Sequence, residues 1–450
     1  MTLSRRAFSL GGLTALLYQK SALAEFQRSI GGKVVFRVPW ILQGMDPHRL
    51  DDVGAQIFGS AAFNALYTVR AVGSANGIFP ALAADLPKLV DGGYEVRLRD
   101  GLTTANGTRV TAADVVFSLD RARSIGLASA LIPYGPCSAK DALTVRFARP
   151  LRPPTKEIAE GALAKVLSAP VFAIVPISFN PSKPDGTGPF KLESAKGTFR
   201  FVRNVKAILG VSMLDELQVE SAPDLSASLR AFEGGGDDLG WLGAGLYGAR
   251  AGSLRFDAGA LGDIVFLAGT KAALWDVPGV PQEIVNGIDV SALRPFIADI
   301  AANRGQEQRW AKGPIELFTR PDPFMLELAR AIAGSLSRPG NAVTVVTWND
   351  ETRRARLKDR VFPLALDFVR TPHHAEILPG ARAHALVSTY AAQRARELTD
   401  VTAVIDPKVL ARTHRFASVA EAKIQGATAS HLFLPAKLGI EWGLVARGTP

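Results

Sequence analysis

Predicted strands and helices alternate along this chain, and this alternation limits its fold class more than any other feature. Residues 33–38 predict a buried strand because apolar side chains dominate the segment. Residues 94–101 and 142–151 alternate apolar and polar side chains, which is typical of a strand with one exposed face. Such interleaving favours an α/β fold over an all-β sandwich. Further strands are predicted at 189–194, 197–204, 214–220, 341–348, 361–369 and 431–445, and helices at 54–69, 282–305 and 322–337.

The chain is long enough to form more than one body. Of its 450 residues, 47% are apolar, so two or three domains or lobes with large cores are expected. The single cysteine, Cys137, excludes an intramolecular disulfide and a cysteine-rich metal site. The net charge of +10 is spread along the chain without a basic run. It therefore indicates a solvated basic surface rather than a nucleic-acid site.

The N-terminal segment has the pattern of an export signal. Arg5 and Arg6 precede an apolar stretch at 7–18, which is too short to cross a bilayer, since a span needs roughly 20 residues. Ala22 and Ala24 are small residues at the two positions that a signal peptidase recognises. The pattern resembles the twin-arginine export motif and predicts cleavage after Ala24, without the adjacent cysteine of a lipoprotein. We expect a free periplasmic protein; the alternative is an N-terminal helix of a cytoplasmic protein.

Motifs for catalysis or cofactor binding are missing from the sequence. It has no Gly-x-Ser-x-Gly elbow and no Walker A loop, and the glycines at 243–248 lack the acidic partner of a dinucleotide site. His373 and His374 form the only histidine cluster, without metal-binding carboxylates, so we expect them to be solvated. Asp237 and Asp238 follow three glycines, where a carboxylate pair more often caps a turn. The sequence therefore predicts no catalytic residue, metal or cofactor.

The segment "LRDGLTTANGTRVTAADVVFS" at 98–118 carries a family pattern. Its glycines allow tight turns, and Thr111 with Asp114 three residues later forms a variant of the capping box that begins a helix. Two further landmarks are "GMDPHRL" at 44–50 and "GTGPFKLES" at 186–194. Together these segments resemble the bacterial extracytoplasmic solute-binding proteins of family 5, which bind peptides, dipeptides and nickel. The resemblance is strong from about residue 33 to 195 and diffuse after that.

The resemblance implies a two-lobe periplasmic-binding-protein fold of type II, in the large peptide-binding class, with mixed sheets and a hinge between the lobes. On this pattern 1–24 is the leader, 25–270 is lobe I with a subdomain at about 50–180, 271–385 is lobe II, and 386–450 returns towards lobe I. It also implies a monomeric, non-enzymatic component of an ABC importer. Such a protein captures a peptide or peptide-like solute and delivers it to an inner-membrane permease. There are two alternatives. The fold is reused as a sensor or regulatory partner, or the protein is an exported hydrolase.

The resemblance also places the ligand between the lobes, where a pocket needs aromatic walls and a few fixed polar groups. Each aromatic candidate has core packing as its alternative. The segment 364–380 lacks a clear equivalent of the aspartate that, in the family, holds the α-amino group of a dipeptide. An anionic or otherwise unusual solute is therefore an alternative to a peptide with a free amino terminus. The candidate ligand-binding residues are Tyr67, Tyr134, Trp241, Tyr247, Trp275, Asp367, Arg370 and His373.

Overall fold

The computed structural model of this protein describes the greater part of the chain. The described residues are 28–72, 75–148, 160–195, 197–241, 252–269, 280–294, 296, 314–391, 398, 405, 409–410, 415–436 and 438–448. The predicted leader with Arg5, Arg6, Ala22 and Ala24 lies outside them, as do Tyr247 and Trp275.

Strands form four sheets in the described residues. They are β1 (Arg28–Ser29), β2 (Lys33–Val38), β3 (Tyr67–Val72), β4 (Ala75–Pro80), β5 (Lys88–Val90), β6 (Gly93–Arg97), β7 (Cys137–Ala139), β8 (Thr144–Phe147), β9 (Phe190–Ala195), β10 (Thr198–Arg203), β11 (Glu216–Ser221), β12 (Leu239–Trp241), β13 (Leu254–Ala268), β14 (Ile315–Thr319), β15 (Val343–Thr347), β16 (Leu364–Arg370), β17 (Phe416–Thr428), β18 (Leu432–Phe433) and β19 (Ala446–Gly448). The largest sheet has ten strands in the order β15-β14-β16-β13-β17-β12-β2-β11-β10-β9. Smaller sheets pair β3 with β4, join β5-β6-β8-β7, and join β1-β19-β18.

Helices pack against these sheets. They are α1 (Val53–Ala62), α2 (Ala112–Ile125), α3 (Glu160–Val166), α4 (Leu225–Glu233), α5 (Val280–Asn286), α6 (Val290–Leu293), α7 (Pro323–Leu336), α8 (Asp350–Asp359) and α9 (Ala381–Tyr390), with 3₁₀ turns at Ala128–Tyr134, Pro170–Phe172 and Trp442–Leu444. We call the part built on β2 and β9–β12 lobe I, the part built on β14–β16 lobe II, and the part built on β3–β8 the subdomain.

Two long antiparallel strands, β13 and β17, connect the lobes. They pair with each other along most of their length, while β16 of lobe II pairs with β13 and β12 of lobe I pairs with β17. The register between β13 and β17 shifts between Asp257 and Ala260. Gly259 lies there with φ +86°, a left-handed conformation that glycine adopts without a steric penalty. Such irregularities bend a sheet, so the crossover strands are curved where the lobes meet.

The lobes share a hydrophobic core across this crossover. Trp40, just beyond β2, stacks on Phe324 of α7 with ring centroids 5.0 Å apart and contacts Phe368 of β16 at 5.5 Å. Trp241 at the end of β12 meets Trp40 edge-on at 6.4 Å. Burial of these rings stabilises the contact between lobe I and lobe II in addition to the paired strands.

Most predicted strands are confirmed, and the errors lie where the pattern was ambiguous. The predicted helix at 54–69 ends at Ala62 and a strand begins at Tyr67. The predicted helix at 282–305 is two short helices in its described part, because Asp289 caps a new helix. The predicted last strand at 431–445 is mostly loop and 3₁₀ turn, and the long strands β13 and β17 were not predicted.

Asp237 and Asp238 have structural roles, as predicted for a carboxylate pair after a glycine turn. Asp237 pairs with Arg37 at 3.1 Å. Asp238 accepts a hydrogen bond from the backbone N–H of Val35 at 2.9 Å and pairs with Arg447 at 3.1 Å. The two carboxylates therefore tie the end of this turn to β2 and to the C-terminal strand.

The predicted capping box of α2 is confirmed. The carboxylate of Asp114 accepts hydrogen bonds from the backbone N–H of Thr111 at 2.8 Å and from its hydroxyl at 2.9 Å. Its other oxygen accepts from the backbone N–H of Ile177 at 2.9 Å. The carboxylate of Asp114 thus accepts hydrogen bonds both from the start of α2 and from the distant loop at Ile177.

We expect Asp114→Ala to lower the free energy of unfolding by about 1–3 kcal/mol, because the change removes a cap and leaves the N–H of Ile177 without its partner. Urea unfolding followed by circular dichroism measures this change. Asp120→Ala is the matched control, since this residue of the same helix is exposed, and surface changes of this kind shift stability by about 0.5 kcal/mol or less. Equal losses in the two variants would contradict the assignment.

Candidate functional site

A cleft of about 720 Å³ lies where lobe I, lobe II and the subdomain meet. Lobe I contributes α1, the segment 207–211 and the C-terminal segment 438–444. Lobe II contributes the loop after β16, with Thr371, His373 and His374, and the crossover strands β13 and β17 form the floor. The volume falls within the range of small-molecule sites, and the walls come from both lobes.

A second, smaller cleft of about 340 Å³ adjoins the first and shares Thr371, His373 and His374 with it. Its charged side chains are neutralised by the protein itself. Lys423 pairs with Asp257 at 3.8 Å. Arg382 donates two hydrogen bonds from Nε to the carboxylate of Asp263, at 2.8 and 2.9 Å. Among the described residues, Asp257, Lys423 and Arg382 of this cleft therefore each have an oppositely charged partner.

His373 is buried and uncharged at the wall of the cleft. Its Nδ1 accepts a hydrogen bond from the backbone N–H of His374 at 2.8 Å, so the ring proton must be on Nε2. Nε2–H then donates to the hydroxyl of Ser168 at 2.9 Å, and that hydroxyl donates to the carbonyl of Lys165 at 2.7 Å. Burial lowers the pKa of His373 to about 3, helped by the neighbouring His374. The expectation of a solvated histidine pair was wrong for His373, because the loop after β16 packs against the subdomain.

Thr371 lines both clefts and carries an unused hydrogen-bonding group. The residue is 7% exposed, and its backbone N–H donates to the carbonyl of Leu261 at 3.1 Å. Its hydroxyl has no hydrogen-bond partner among the described residues. Buried hydroxyl groups are normally paired, and this oxygen is itself inaccessible to solvent, so a molecule in the cleft would reach it only after a local rearrangement.

Gln56 of α1 is held in place by Arg370 at the end of β16. Arg370 donates from Nε to the Gln56 side-chain oxygen at 2.8 Å, and the Gln56 amide donates to the carbonyl of Ala260 at 3.2 Å. Arg370 also donates to the carbonyl of Pro47 at 3.1 Å. Burial lowers its pKa to about 10, which leaves the guanidinium charged at neutral pH. Arg370 therefore joins lobe II to lobe I behind the cleft wall.

A buried charge cluster lies beside Arg370. Arg353 pairs with Asp367 at 3.1 Å within lobe II and with Asp51, which precedes α1. Burial alone would raise the pKa of Asp51, but the guanidinium groups of Arg353 and Arg49 outweigh it and hold this pKa well below its usual range. The hydroxyl of Tyr390 donates to Asp367 at 3.2 Å. Asp367 is thus fully engaged by protein groups.

The predicted site residues are distributed unevenly in the structure. His373 lines the cleft, whereas Asp367 and Arg370 lie behind it. Tyr67 is buried in the subdomain core with its hydroxyl donating to the carbonyl of Asp85 at 3.1 Å, and Tyr134 packs edge-on against Tyr94. Trp241 is buried against Trp40. Ligand-binding roles for these residues, and for Tyr247 and Trp275 outside the described residues, stay a prediction.

Sequence patterns missed several residues that line the cleft. Gln56, Thr371, Leu209 and Leu444 carry no motif, and no periodicity distinguishes them from surface residues. The family landmark at 44–50 pointed to the neighbourhood, because the carbonyl of Pro47 in that turn accepts from Arg370. The landmark did not identify which residues line the cleft.

These features define an α/β protein with two lobes, a crossover of two strands and a cleft whose walls come from both lobes. Residues 77–244 match the sequence model of the bacterial extracellular solute-binding proteins, family 5 Middle. This match and the solved structures below confirm the resemblance found in the sequence. None of the curated proteins matches the chain significantly.

Solved structures with the same fold include several binding proteins. The Escherichia coli murein tripeptide binding protein MppA has a TM-score of 0.69 at 14% identity, covering 94% of this chain and 100% of its own. DppA from Helicobacter pylori, in complex with the peptide STSA, has a TM-score of 0.66 at 16% identity, covering 94% and 99%. NikA from Staphylococcus aureus, in complex with Ni(L-His)2, has a TM-score of 0.65 at 14% identity, covering 92% and 98%. The two-lobe periplasmic-binding-protein fold predicted from the sequence is therefore confirmed.

In the described part of the chain, every helix is too short or too polar to span a bilayer. Within the same residues, no group of three or more histidine, cysteine, aspartate or glutamate side chains is placed to hold a metal ion.

Proposed function

We propose that this protein is the substrate-binding component of an ABC importer and captures a peptide or peptide-like solute between its lobes. The cleft with walls from both lobes carries this proposal. It is supported by the family match over 77–244 and by the fold shared with proteins whose structures were solved in complex with a peptide or with Ni(L-His)2. Delivery to an inner-membrane permease, a periplasmic location and a monomeric state belong to the same proposal.

Closure of the lobes on the solute is the mechanism that the cleft supports. A solute that touches α1 of lobe I and the loop at 371–374 of lobe II at once has more contacts in the closed form than in the open form. It therefore shifts the population towards closure by the difference between its affinities for the two forms. The curved crossover strands β13 and β17 are where the hinge motion is expected.

Native mass spectrometry of the protein purified from its own cells tests this function. We expect a small co-purifying mass that is lost on denaturation. Ala207→Trp should remove that mass, because residue 207 lines the cleft and a large ring there occupies its volume. Lys206→Trp is the matched control, since its neighbouring position is exposed and not part of the wall.

Two results would contradict the proposed function. If the solute were bound elsewhere, both variants would retain the mass. If the substitutions unfolded the segment, both would lose it, and circular dichroism would show the loss of structure. An empty wild-type protein that also shows no change in melting temperature with peptide pools or Ni(L-His)2 would overturn the binding role, because a ligand selective for the folded state raises its stability.

A further inference from the structure

We propose that Arg70 and Glu441 set the charge specificity of the cleft, with Arg70 contacting an anionic group of the solute and Glu441 a cationic group. This inference rests on the proposed function and deepens it by naming the residues that select the solute by charge. Three observations carry it. The two side chains line the cleft from different parts of the protein, neither has a partner of its own, and the strongest charge behind the wall is buried.

Arg70 lies on strand β3 of the subdomain and lines the cleft. This strand pairs with β4, where Gly77 lies opposite Arg70. The hairpin formed by β3 and β4 is attached to lobe II, because the side-chain amide of Asn76 donates to the carboxylate of Glu376 at 2.6 Å. The strand that carries Arg70 is therefore held both by its neighbour in the sheet and by lobe II.

Glu441 lies in lobe I, directly before the 3₁₀ turn at Trp442–Leu444. Its backbone N–H donates to the carbonyl of Pro435 at 3.0 Å, and its own carbonyl accepts from the backbone N–H of Leu444 at 2.8 Å. The indole N–H of Trp442 donates to the carbonyl of Ile57 in α1 at 2.8 Å, which anchors the turn. The backbone at Glu441 is thus fixed, while its side chain is exposed on the cleft.

The charges of Arg70 and Glu441 are not engaged by the protein. Both side chains are exposed, and neither forms a hydrogen bond or an ion pair with another described residue. Among the described residues, they are also the only arginine, lysine, aspartate or glutamate side chains that line this cleft. Two free charges of opposite sign, one from the subdomain and one from lobe I, are complementary to a solute that carries an anionic and a cationic group.

Arg370, behind the wall, does not compete with Arg70 for an anionic group. Arg370 is 1% exposed, and its Nε donates to the side-chain oxygen of Gln56. No carboxylate of the described residues accepts a hydrogen bond from it, but the nearby charges of Asp52 and Asp46 favour its charged form. A solute in the cleft therefore meets the guanidinium of Arg70 and not that of Arg370.

The same cleft has an apolar surface, which determines the choice of probe. It is formed by the segments 207–211 and 438–444, on which Val211 and Leu444 are each 47% exposed. An apolar surface left open to water within a cleft is typical of a site that binds an apolar group. Probes with leucine side chains therefore combine apolar contacts with the charges to be tested.

Isothermal titration of the purified protein at pH 7 with three matched dipeptides separates the two charges. Leucyl-leucine has both charged ends, N-acetyl-leucyl-leucine has only the carboxylate, and leucyl-leucinamide has only the ammonium group. Arg70→Gln should weaken binding of the two probes with a carboxylate about fivefold and leave leucyl-leucinamide unchanged. Glu441→Gln should weaken the two probes with an ammonium group about fivefold and leave N-acetyl-leucyl-leucine unchanged. A fivefold change corresponds to the upper end of what an exposed ion pair contributes.

Arg109→Gln and Glu233→Gln are the matched controls. Arg109 in the subdomain and Glu233 in lobe I are exposed and do not line the cleft, and their side chains have no partner in the described part of the chain. Both controls should bind all three probes with wild-type affinity. Because each comparison removes one charge from the protein and one from the probe, it isolates the contact between them.

The outcomes separate this inference from the proposed function. Equal weakening of all three probes by Arg70→Gln or Glu441→Gln would overturn the role of that residue, since it would show a loss of structure and not of a charge contact. Unchanged affinities in either variant would do the same. A wild-type protein that binds none of the three probes would overturn the inference, while a co-purifying mass in native mass spectrometry would leave the binding role intact. An empty protein whose melting temperature no ligand changes would overturn both.

Discussion

Replacing Arg353 by methionine should lower the free energy of unfolding by about 3–5 kcal/mol, the largest single-residue effect that we expect in this protein. Arg353 has a side chain 3% exposed and lies between Asp367, which is fully buried, and Asp51. Methionine fills much of the space but supplies no charge. Asp367 would then retain the hydroxyl of Tyr390 as its hydrogen-bond donor and the nearby charge of Arg320, while losing its direct ion pair. A buried carboxylate without a direct ion-pair partner is costly, and this cost sets the magnitude.

Arg354→Met is the matched control for this prediction. Arg354 is the next residue of α8, its side chain is 49% exposed, and its nearest carboxylate oxygens are 3.5 and 4.0 Å away. Exposed ion pairs contribute about 0–1 kcal/mol, so the control should change stability little. Urea unfolding of both variants at pH 7 gives the comparison. Similar losses in the two variants would show that the cluster around Asp367 tolerates loss of its cation.

Acid should destabilise the folded protein as the pH falls below about 6.5, because two histidines are buried without charge. Burial lowers the pKa of His373 to about 3 and that of His48 to about 4. In His48, Nδ1 accepts from Arg121 at 2.9 Å and Nε2–H donates to the carbonyl of Ala173 at 2.8 Å, which fixes the neutral form. Below pH 6.5 the unfolded chain takes up protons that the folded chain does not, so stability is lost progressively down to these folded values.

Two carboxylates, Asp52 and Asp237, oppose this trend in part, because burial raises the pKa of each. Burial raises the pKa of Asp52 to about 6, although hydrogen bonds from the backbone of Ala55 and Asp46 counteract it. The folded state therefore binds a proton at Asp52 more readily than the unfolded state, and this contribution grows as the pH falls from about 6. Both histidines act from about pH 6.5 downwards, whereas Asp52 acts only below about pH 6 and Arg37 counteracts the effect of burial on Asp237. We therefore expect the net effect of acid in this window to be a loss of stability.

Urea unfolding at pH 7 and pH 5 measures the contribution of His373. A buried neutral histidine lowers the free energy of unfolding by about 1.4 kcal/mol for each pH unit below its unfolded pKa. His373→Gln should therefore reduce the loss of stability between pH 7 and pH 5 by about 2 kcal/mol. Ser168→Ala is the control, since it removes the hydrogen bond to Nε2 but leaves the histidine buried. That variant should be less stable at both pH values with the wild-type pH dependence. An unchanged pH dependence in His373→Gln would contradict the assignment.

The site was less predictable from the sequence than the elements around it. The start of α2 at Thr111 and the strand β2 follow from residues within a few positions of each other, and both are confirmed. Arg370 at the end of β16 and His373 in the loop after it were both predicted to bind the ligand, and only His373 lines the cleft. Whether a side chain faces the cleft or the core behind it depends on which distant segment packs against the loop, and no local pattern contains that information.

The sequence by itself determined the alternation of strands and helices, the capping box at Thr111 and Asp114, and the family resemblance over 33–195. These properties depend on neighbours along the chain, through backbone geometry and side-chain periodicity. The tertiary structure alone decided that Arg370 fixes Gln56, 314 positions away, and that Arg353 pairs with Asp51, 302 positions away. It also decided that His373 is neutral, because burial and the hydrogen bonds of a ring nitrogen arise only when distant parts of the chain are brought into contact.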